Sequence, residues 1–407
     1  MEPKIKNAVH NSLLDVANQS LADQLFVIER VEAIVLRSKI KKPVQTSFGT
    51  MYDRPALIVR IIDAQGCIGY GEIWCNFPST GAEYKANLLV KEFAFWLKGK
   101  SFHSPAEIFD GLNHAFAVLG LQTADPGTLL QVTAGIDQAL SDLVARHQGK
   151  RVCDLFGVAG DNVKAYASGI HPKEVTEIVS SALDRGFSSF KIKVGFGSEI
   201  DQMGLSAACE LISEGHQLMI DANQAWVLPS DAAKNITELS RFNLMWVEEP
   251  IRANSSLSDW GALKKIIDVP IASGENLGDL ETVNTYLQHS VFDYMQPDIG
   301  KIGGFTGLIR VLDTHRGTSL HNSVYCPHWL GGVVGLAASA HLLTIAGNTG
   351  LLEVDANENP IRESLSDWDL SLSSDGRIKL PEGHGLGIVP DLSAMKSQNV
   401  EVKIITE

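Results

Sequence analysis

Seven ionisable residues fall at the ends of successive apolar runs in the second half of the chain: Lys193, Asp221, Glu248, Glu275, Asp298, His328 and Glu353. They recur at intervals of 23 to 30 residues, close to the ~30 residues that a strand, its return helix and two short loops need. Asp221, Glu248 and Glu275 end three consecutive runs. Facing one axis they would repel, unless a cation sat between them. All-oxygen ligands on rigid strand ends suit Mg²⁺, with Mn²⁺ as the alternative, and leave positions open for substrate. Zinc fits less well, because no His or Cys joins the set. Any one of these acids could equally be a helix N-cap or a surface salt bridge; three in register point to a metal centre.

Lys191 and Lys193 stand two apart on one strand, so both side chains point the same way. An outward, solvated pair conflicts with the helices that must cover the outer face. Two inward lysines are too costly as packing unless they meet charge. A lysine close to a divalent cation and a second lysine has its pKa pushed down, which makes a usable base. Asp298 and His328 end neighbouring strands. A carboxylate beside an imidazole fixes its tautomer and raises its basicity. Glu353, from the last strand, would stand near the metal-bound group and donate a hydrogen bond to a developing oxyanion. An amine on one side, an imidazole on the other and a divalent cation between them form machinery for removing a proton α to a carboxylate, with the enediolate stabilised electrostatically.

The elements that position these groups follow from the spacing. Charge at the carboxyl ends of strands is where a (β/α)₈ barrel keeps its site. A chain of 407 residues suits such a barrel, at ~250 residues, plus a second unit. The expected barrel strands are 163–168, 189–194, 217–223, 244–250, 270–275, 292–298, 323–328 and 350–355, within a catalytic domain over 151–375. Before it, runs at 26–37, 56–63 and after Gly66 read as antiparallel strands, and 81–98 and 130–148 as helices. They form an α+β domain over 26–150, completed by the tail 376–407. Residues 1–25 read as an N-terminal arm with a short helix.

A net charge of −14 argues against nucleic acid or an anionic membrane as partner. No run approaches the ~18 apolar residues of a membrane span, and the N-terminal segment has no secretory apolar core. The five cysteines form no CxxC pair, so a reducing cytoplasm is expected. A homo-oligomer is expected.

The motifs FKIKVG (190–195), MIDAN (219–223), WVEEP (246–250), SGE (273–275), QPDIGKIGG (296–304), CPH (326–328) and LLEVD (351–355) together resemble the enolase superfamily, specifically its mandelate racemase branch. Enzymes of that superfamily pair a Lys or His base with Mg²⁺. The resemblance implies an α+β capping domain on a modified (β/α)₇β barrel (a modified TIM barrel). It implies Asp221, Glu248 and Glu275 as Mg²⁺ ligands, Lys193 as one base and the Asp298–His328 dyad as the other. Lys191 would help bind the substrate carboxylate, and Glu353 would be the electrophilic hydrogen-bond donor. The muconate cycloisomerase branch has a lysine where Asp298 stands, which argues against dipeptide epimerases and N-acylamino-acid racemases. In this family specificity comes from capping-domain loops, here 41–54 and 74–84. The candidate substrate contacts are Phe48, Trp74, Asn223, Lys191 and Trp329. The PHW…G segment and PEGHGLGI tail are also similar to galactarolactone cycloisomerases.

These readings lead to an Mg²⁺-dependent dehydratase acting on a small carboxylate, an acid sugar (aldonate or aldarate). The alternatives are a cycloisomerase of a sugar-acid lactone, a 2-hydroxy acid racemase, and a non-catalytic binding protein that kept the barrel.

Overall fold

The structure, a computed structural model, describes residues 12–315 and 323–406. A short helix, Leu13–Leu21, capped by Ser12, docks on the helix Gly304–His315 through bonds from the Leu13 amide to Asp313. Strands β1 (Phe26–Gln45), β2 (Thr50–Asp63) and β3 (Ile68–Ile73) then form the antiparallel sheet expected of the capping domain, with β4 (Ser101–Phe102) on the edge of β1. The strands β1 and β2 run further than 26–37 and 56–63. Their extensions carry the loop 41–54 out over the barrel.

The helix expected over 81–98 is one continuous rod interrupted by a π turn at Leu89–Phe93. The second runs Pro126–His147 and covers β3. A third helix, Pro105–Thr123, was not anticipated. Glycines at 111 and 120 and exposed Val118 and Leu121 blur its apolar stripe.

The barrel strands are β5 (Asn162–Ile170), β6 (Ser189–Lys193), β7 (Gln217–Asp221), β8 (Leu244–Glu248), β9 (Ile271–Ser273), β10 (Tyr294–Met295), β11 (Val324–Tyr325) and β12 (Leu352–Asp355). All eight are parallel, in the order β11-β10-β9-β8-β7-β6-β5-β12. This is a capping domain on a modified (β/α)₇β barrel. Closure differs from expectation in one respect: among the described residues β11 and β12 share no strand pairing. A backbone-to-thiol bond and a close backbone approach join that seam instead. The Leu351 amide meets Cys326 Sγ at 3.4 Å, and Gly350 lies so close to Tyr325 that a Cβ would fall 1.8 Å from its carbonyl oxygen.

Alternation along the strands sorts the interior into layers. Outward Phe190, Ile192, Leu218, Ile220 and Val247 join the large core shared with the helices. Inward Tyr166, Met219, Trp246, Ala272, Cys326 and Leu351 fill the barrel floor. The charged groups stand above that floor. The tail also departs from expectation. β13 (Arg377–Lys379) pairs with β5 of the barrel, and only β14 (Glu401–Thr406) joins the capping sheet, on β1. No helix among the described residues is long and apolar enough to cross a membrane.

Candidate active site

Register places the lysines and the first acid. Lys191 lies opposite Met219 and Lys193 opposite Asp221, so the two lysines occupy successive interior layers. Lys193 Nζ bonds Asn223 Oδ1 at 2.6 Å and lies 3.2 Å from Asp221 Oδ2. Asn223 in turn bonds Asp221 through its backbone N–H and its side chain, at 2.8 and 2.9 Å. Lys191, one layer deeper, pairs with Glu248 and, at 2.7 Å, with Glu353. Burial alone would lower its pKa. The carboxylates of Glu248 and Glu353 outweigh that and hold it well above the usual lysine range, so Lys191 is a fixed cation.

On the other flank Asp298 Oδ2 lies 2.6 Å from His328 Nδ1. The remaining Asp298 oxygen accepts from the Gly300 amide at 2.7 Å. His328 Nε2 faces Glu275 Oε2 at 2.8 Å. Burial works against the charged ring, but Glu275, Glu353 and Asp298 push its pKa up to about 10. Lys193 ends β6 and His328 follows β11. Going round the barrel, β5 and β12 separate them on one side and four strands on the other, so amine and imidazole face each other across the mouth.

Glu353 accepts from Ser168 Oγ at 2.5 Å and from the Trp329 amide at 2.9 Å. The Trp329 side chain does not line the cavity. Its ring is buried against Gly300, Gly331 and Gly335, with Nε1 bonded to the Gly332 carbonyl, so its contribution is its backbone N–H. Trp74 does line the cavity, with a buried Nε1 that meets no hydrogen-bond partner among the described residues. Phe48 stands exposed at the rim, edge-on to Phe77 at 5.1 Å. Lys191, Glu248 and Glu353 lie beneath the cavity, not on its wall.

Several residues were missed by the sequence reading. Lys301, in the QPDIGKIGG segment, bonds Glu275 at 2.8 Å and sits 4.4 Å from the centre of the Trp74 ring. Its place in a motif beside Asp298 was the available signal. Glu249, in a left-handed backbone conformation, is held by Gln224 and Asn276. Gln296 bonds Glu248 at 2.6 Å. Arg54, from β2, lines the cavity beside Asp355, and nothing in its local sequence marks it.

Whether these groups suit a cation can be judged from charge. Buried around this point are the acids Asp221, Glu248, Glu249, Glu275, Asp298 and Glu353, against Lys191, Lys193, Lys301 and His328. Six acids against four cationic groups leave two negative charges uncompensated. Glu248 shows it: burial, with Asp221 and Glu353 nearby, pushes its carboxyl up to about 7 despite Lys191. Burial, Glu275 and Asp221 raise Glu249 as well. A hard divalent cation matches this excess and this all-oxygen donor set. Among the described residues no three acids converge on one point; Lys193, Lys191, and Lys301 with His328 hold Asp221, Glu248 and Glu275 respectively.

The cavity has a volume of about 500 Å³. Thr46, Ser47 and Asn76 reach it from the capping domain, and Asn223, Gln224 and Asn276 from the barrel.

Residues 30–157 match the mandelate racemase / muconate lactonizing enzyme N-terminal domain, and 174–394 the enolase C-terminal domain-like family. The chain is 27% identical to the D-galactarolactone cycloisomerase of Agrobacterium fabrum, covering 89% of this chain and 96% of that protein. It is 29% identical to the L-talarate/galactarate dehydratase of Salmonella typhimurium, covering 73% and 72%. A mandelate racemase/muconate lactonizing enzyme from Bordetella bronchiseptica RB50 superposes with a TM-score of 0.84 at 38% identity, covering 92% of this chain and 100% of that one. An enolase from Bradyrhizobium, solved with magnesium and mandelic acid, superposes with a TM-score of 0.79 at 25% identity, covering 92% and 99%. The chain therefore belongs to the mandelate racemase and muconate lactonizing enzyme family of the enolase superfamily, a family of enzymes.

Proposed function

We propose that the protein is an Mg²⁺-dependent dehydratase of an acid sugar. The observation that carries this reading is the Asp298–His328 pair at 2.6 Å across the mouth from Lys193. Elimination needs a base on the α-carbon and an acid on the β-hydroxyl. An amine and a proton-bearing imidazole on opposite flanks supply both.

In this scheme Lys193 takes the α-proton and the C–H electron pair passes into the enediolate. His328 gives its Nε2 proton to the departing β-hydroxyl, the C–O bond breaks and water leaves. The enol left behind tautomerises to a 2-keto-3-deoxy acid. Asp298 holds the imidazole by Nδ1 throughout, and Lys191 offsets charge on the substrate carboxylate from below. Asp221, Glu248 and Glu275 would hold the Mg²⁺. Bound there, the ion supplies positive charge against the negative charge that develops on the carboxylate oxygens. The neutral polar lining of Thr46, Ser47, Asn76, Asn223 and Asn276 suits a chain of hydroxyls.

A second reading, cycloisomerisation of a sugar-acid lactone, is favoured by the relative from Agrobacterium fabrum, which this chain covers almost completely. It uses the same α-proton abstraction with a ring ester as leaving group. Offering acid sugars and their lactones with Mg²⁺ in D₂O separates the readings. A 2-keto-3-deoxy product from an open-chain acid supports dehydration. Reaction of lactones alone supports cycloisomerisation. α-Deuteration without loss of water indicates racemisation and rejects both.

A further inference from the structure

The far end of the β1–β2 hairpin is set apart from its stem. Lys39 pairs with Asp53 and Val44 with Met51, so residues 40–43 form a bulge opposite Tyr52. A bulge interrupts and bends a ladder, which makes 44–51 a separate tip on the cavity. The tip is braced within itself: the Thr46 amide and hydroxyl both donate to the Gly49 carbonyl, at 2.9 and 3.0 Å. Phe48 rests against Phe77, another residue of the capping domain. Toward the barrel the tip reaches with a hydroxyl: Ser47 Oγ donates to the Asn223 carbonyl at 2.9 Å. At the bulge Lys42 pairs with Glu177 at 2.6 Å, but both side chains are exposed and such pairs hold little.

Asn223 links that tip to the base. Its backbone is left-handed, with a φ of +43°, and Gln224 follows at +63°. Two such non-glycine residues in a row are strained and persist only where surrounding bonds hold them. The Asn223 N–H and Nδ2 donate to Asp221 at 2.8 and 2.9 Å, and its Oδ1 accepts from Lys193 Nζ at 2.6 Å. The peptide between Asn223 and Gln224 is pinned on both sides, its C=O by Ser47 and its N–H by the Glu249 carbonyl at 2.7 Å. Removing one pin lets the strained peptide turn, and the turn re-aims Oδ1 away from Lys193. Lys193 itself bonds Asn223 and Asp221, and no residue of the tip among those described.

We propose that Ser47 and Asn223 are positioning residues that join the hairpin to the base, so that docking of the tip and the aim of Lys193 Nζ are one event. This rests on Lys193 as the base in the reading above. Coupling of this kind is reciprocal: if the tip steadies Lys193 through Asn223, a change at Lys193 must loosen the tip that it does not touch. A tip that merely covered the cavity would bond the Asn223 main chain without regard to its side chain.

The test is hydrogen–deuterium exchange of the full-length protein in Mg²⁺, read by mass spectrometry on peptides spanning 44–51. Ser47→Ala should speed exchange there by roughly three- to tenfold, the worth of one hydrogen bond, and Ser47→Thr, which keeps the hydroxyl, should restore most of the protection. Asn223→Ala keeps the carbonyl that Ser47 bonds and removes only the side chain. It and Lys193→Met should each speed exchange in the tip by at least about threefold. Ser47→Ala combined with either should exchange no faster than the faster single variant. An unchanged tip in Ser47→Ala, in Asn223→Ala or in Lys193→Met overturns the proposal, and so do double variants in which the single effects multiply. If Lys193→Met does not fold, Asn223→Ala and its combination with Ser47→Ala decide. No substrate enters the measurement, so coupling found in a protein that does not dehydrate acid sugars rejects the dehydratase reading alone, and dehydration without coupling rejects this proposal alone.

Discussion

Asp298 grips His328 from behind: 2.6 Å separates Oδ2 from Nδ1, and the other carboxylate oxygen is tied to the Gly300 amide. The imidazole therefore presents Nε2 to the cavity in one orientation. Burial opposes the charged ring, but Glu275, Glu353 and Asp298 raise its pKa to about 10, which favours the protonated form. If it is the acid for the leaving group, His328→Asn should lower dehydration by about 10²–10⁴ while exchange of the α-proton with D₂O persists. Following both by proton NMR checks this. Equal loss of exchange and elimination would instead make His328 the abstracting base. Lys193→Met should abolish both.

Magnesium affinity tests the acid assignment. Asp221→Asn, Glu248→Gln and Glu275→Gln should each weaken Mg²⁺ binding by at least ~100-fold, beyond the 10–100-fold of losing a supporting contact. Glu249→Gln, whose carboxylate is occupied by Gln224 and Asn276, should cost less. Calorimetry on the four variants gives the order. A larger loss for Glu249→Gln than for Glu248→Gln would exchange their roles.

Glu72 joins the capping domain to the barrel, accepting from the Gly332 and Gly335 amides at 2.6 and 2.8 Å where the helix Val333–Ile345 begins. Burial outweighs those donors and pushes its carboxyl from 4.5 up to about 7. The folded chain then keeps a proton that the unfolded chain releases. Its stabilisation is fully present below pH 4.5 and is lost as pH rises through about 7, by about 3 kcal/mol in all. Glu72→Gln, which cannot ionise, should gain stability relative to wild type by that amount between those limits in urea melts. A difference that stays flat with pH would mean the amides hold Glu72 ionised throughout.

The barrel seam supplies a packing test. Gly350→Ala would drive a methyl into the Tyr325 carbonyl, where backbone must move. We expect a loss of roughly 1–3 kcal/mol or more, seen as a lower Tm, together with reduced activity because Glu353 lies three residues further on, within β12. An unchanged Tm would show that the seam is loose.

The order of the barrel strands, the charged layer at their ends and the pairing of Lys191 with Lys193 were legible in the sequence. Each depends on a short-range period, two along a strand and about one βα unit between strands, which local sequence records. Lys301 lay inside a motif already singled out, yet its role needed Glu275 and Trp74 beside it. The helix Pro105–Thr123 escaped because its buried face is set by what it packs on.

Arg54 marks the boundary most clearly. It lies on β2 and Asp355 on β12, about three hundred residues later, and only the docking of one domain on the other brings them into contact. Trp329 shows the converse. Its place beside His328 suggested a pocket wall, but a gap left by three glycines took the ring and left the backbone to serve Glu353. Sequence determined which groups stand at the strand ends, because alternation and repeat length act locally. Tertiary structure decided which of them share a charge, and which distant side chain completes the cavity, because those contacts depend on distances that the chain order does not contain.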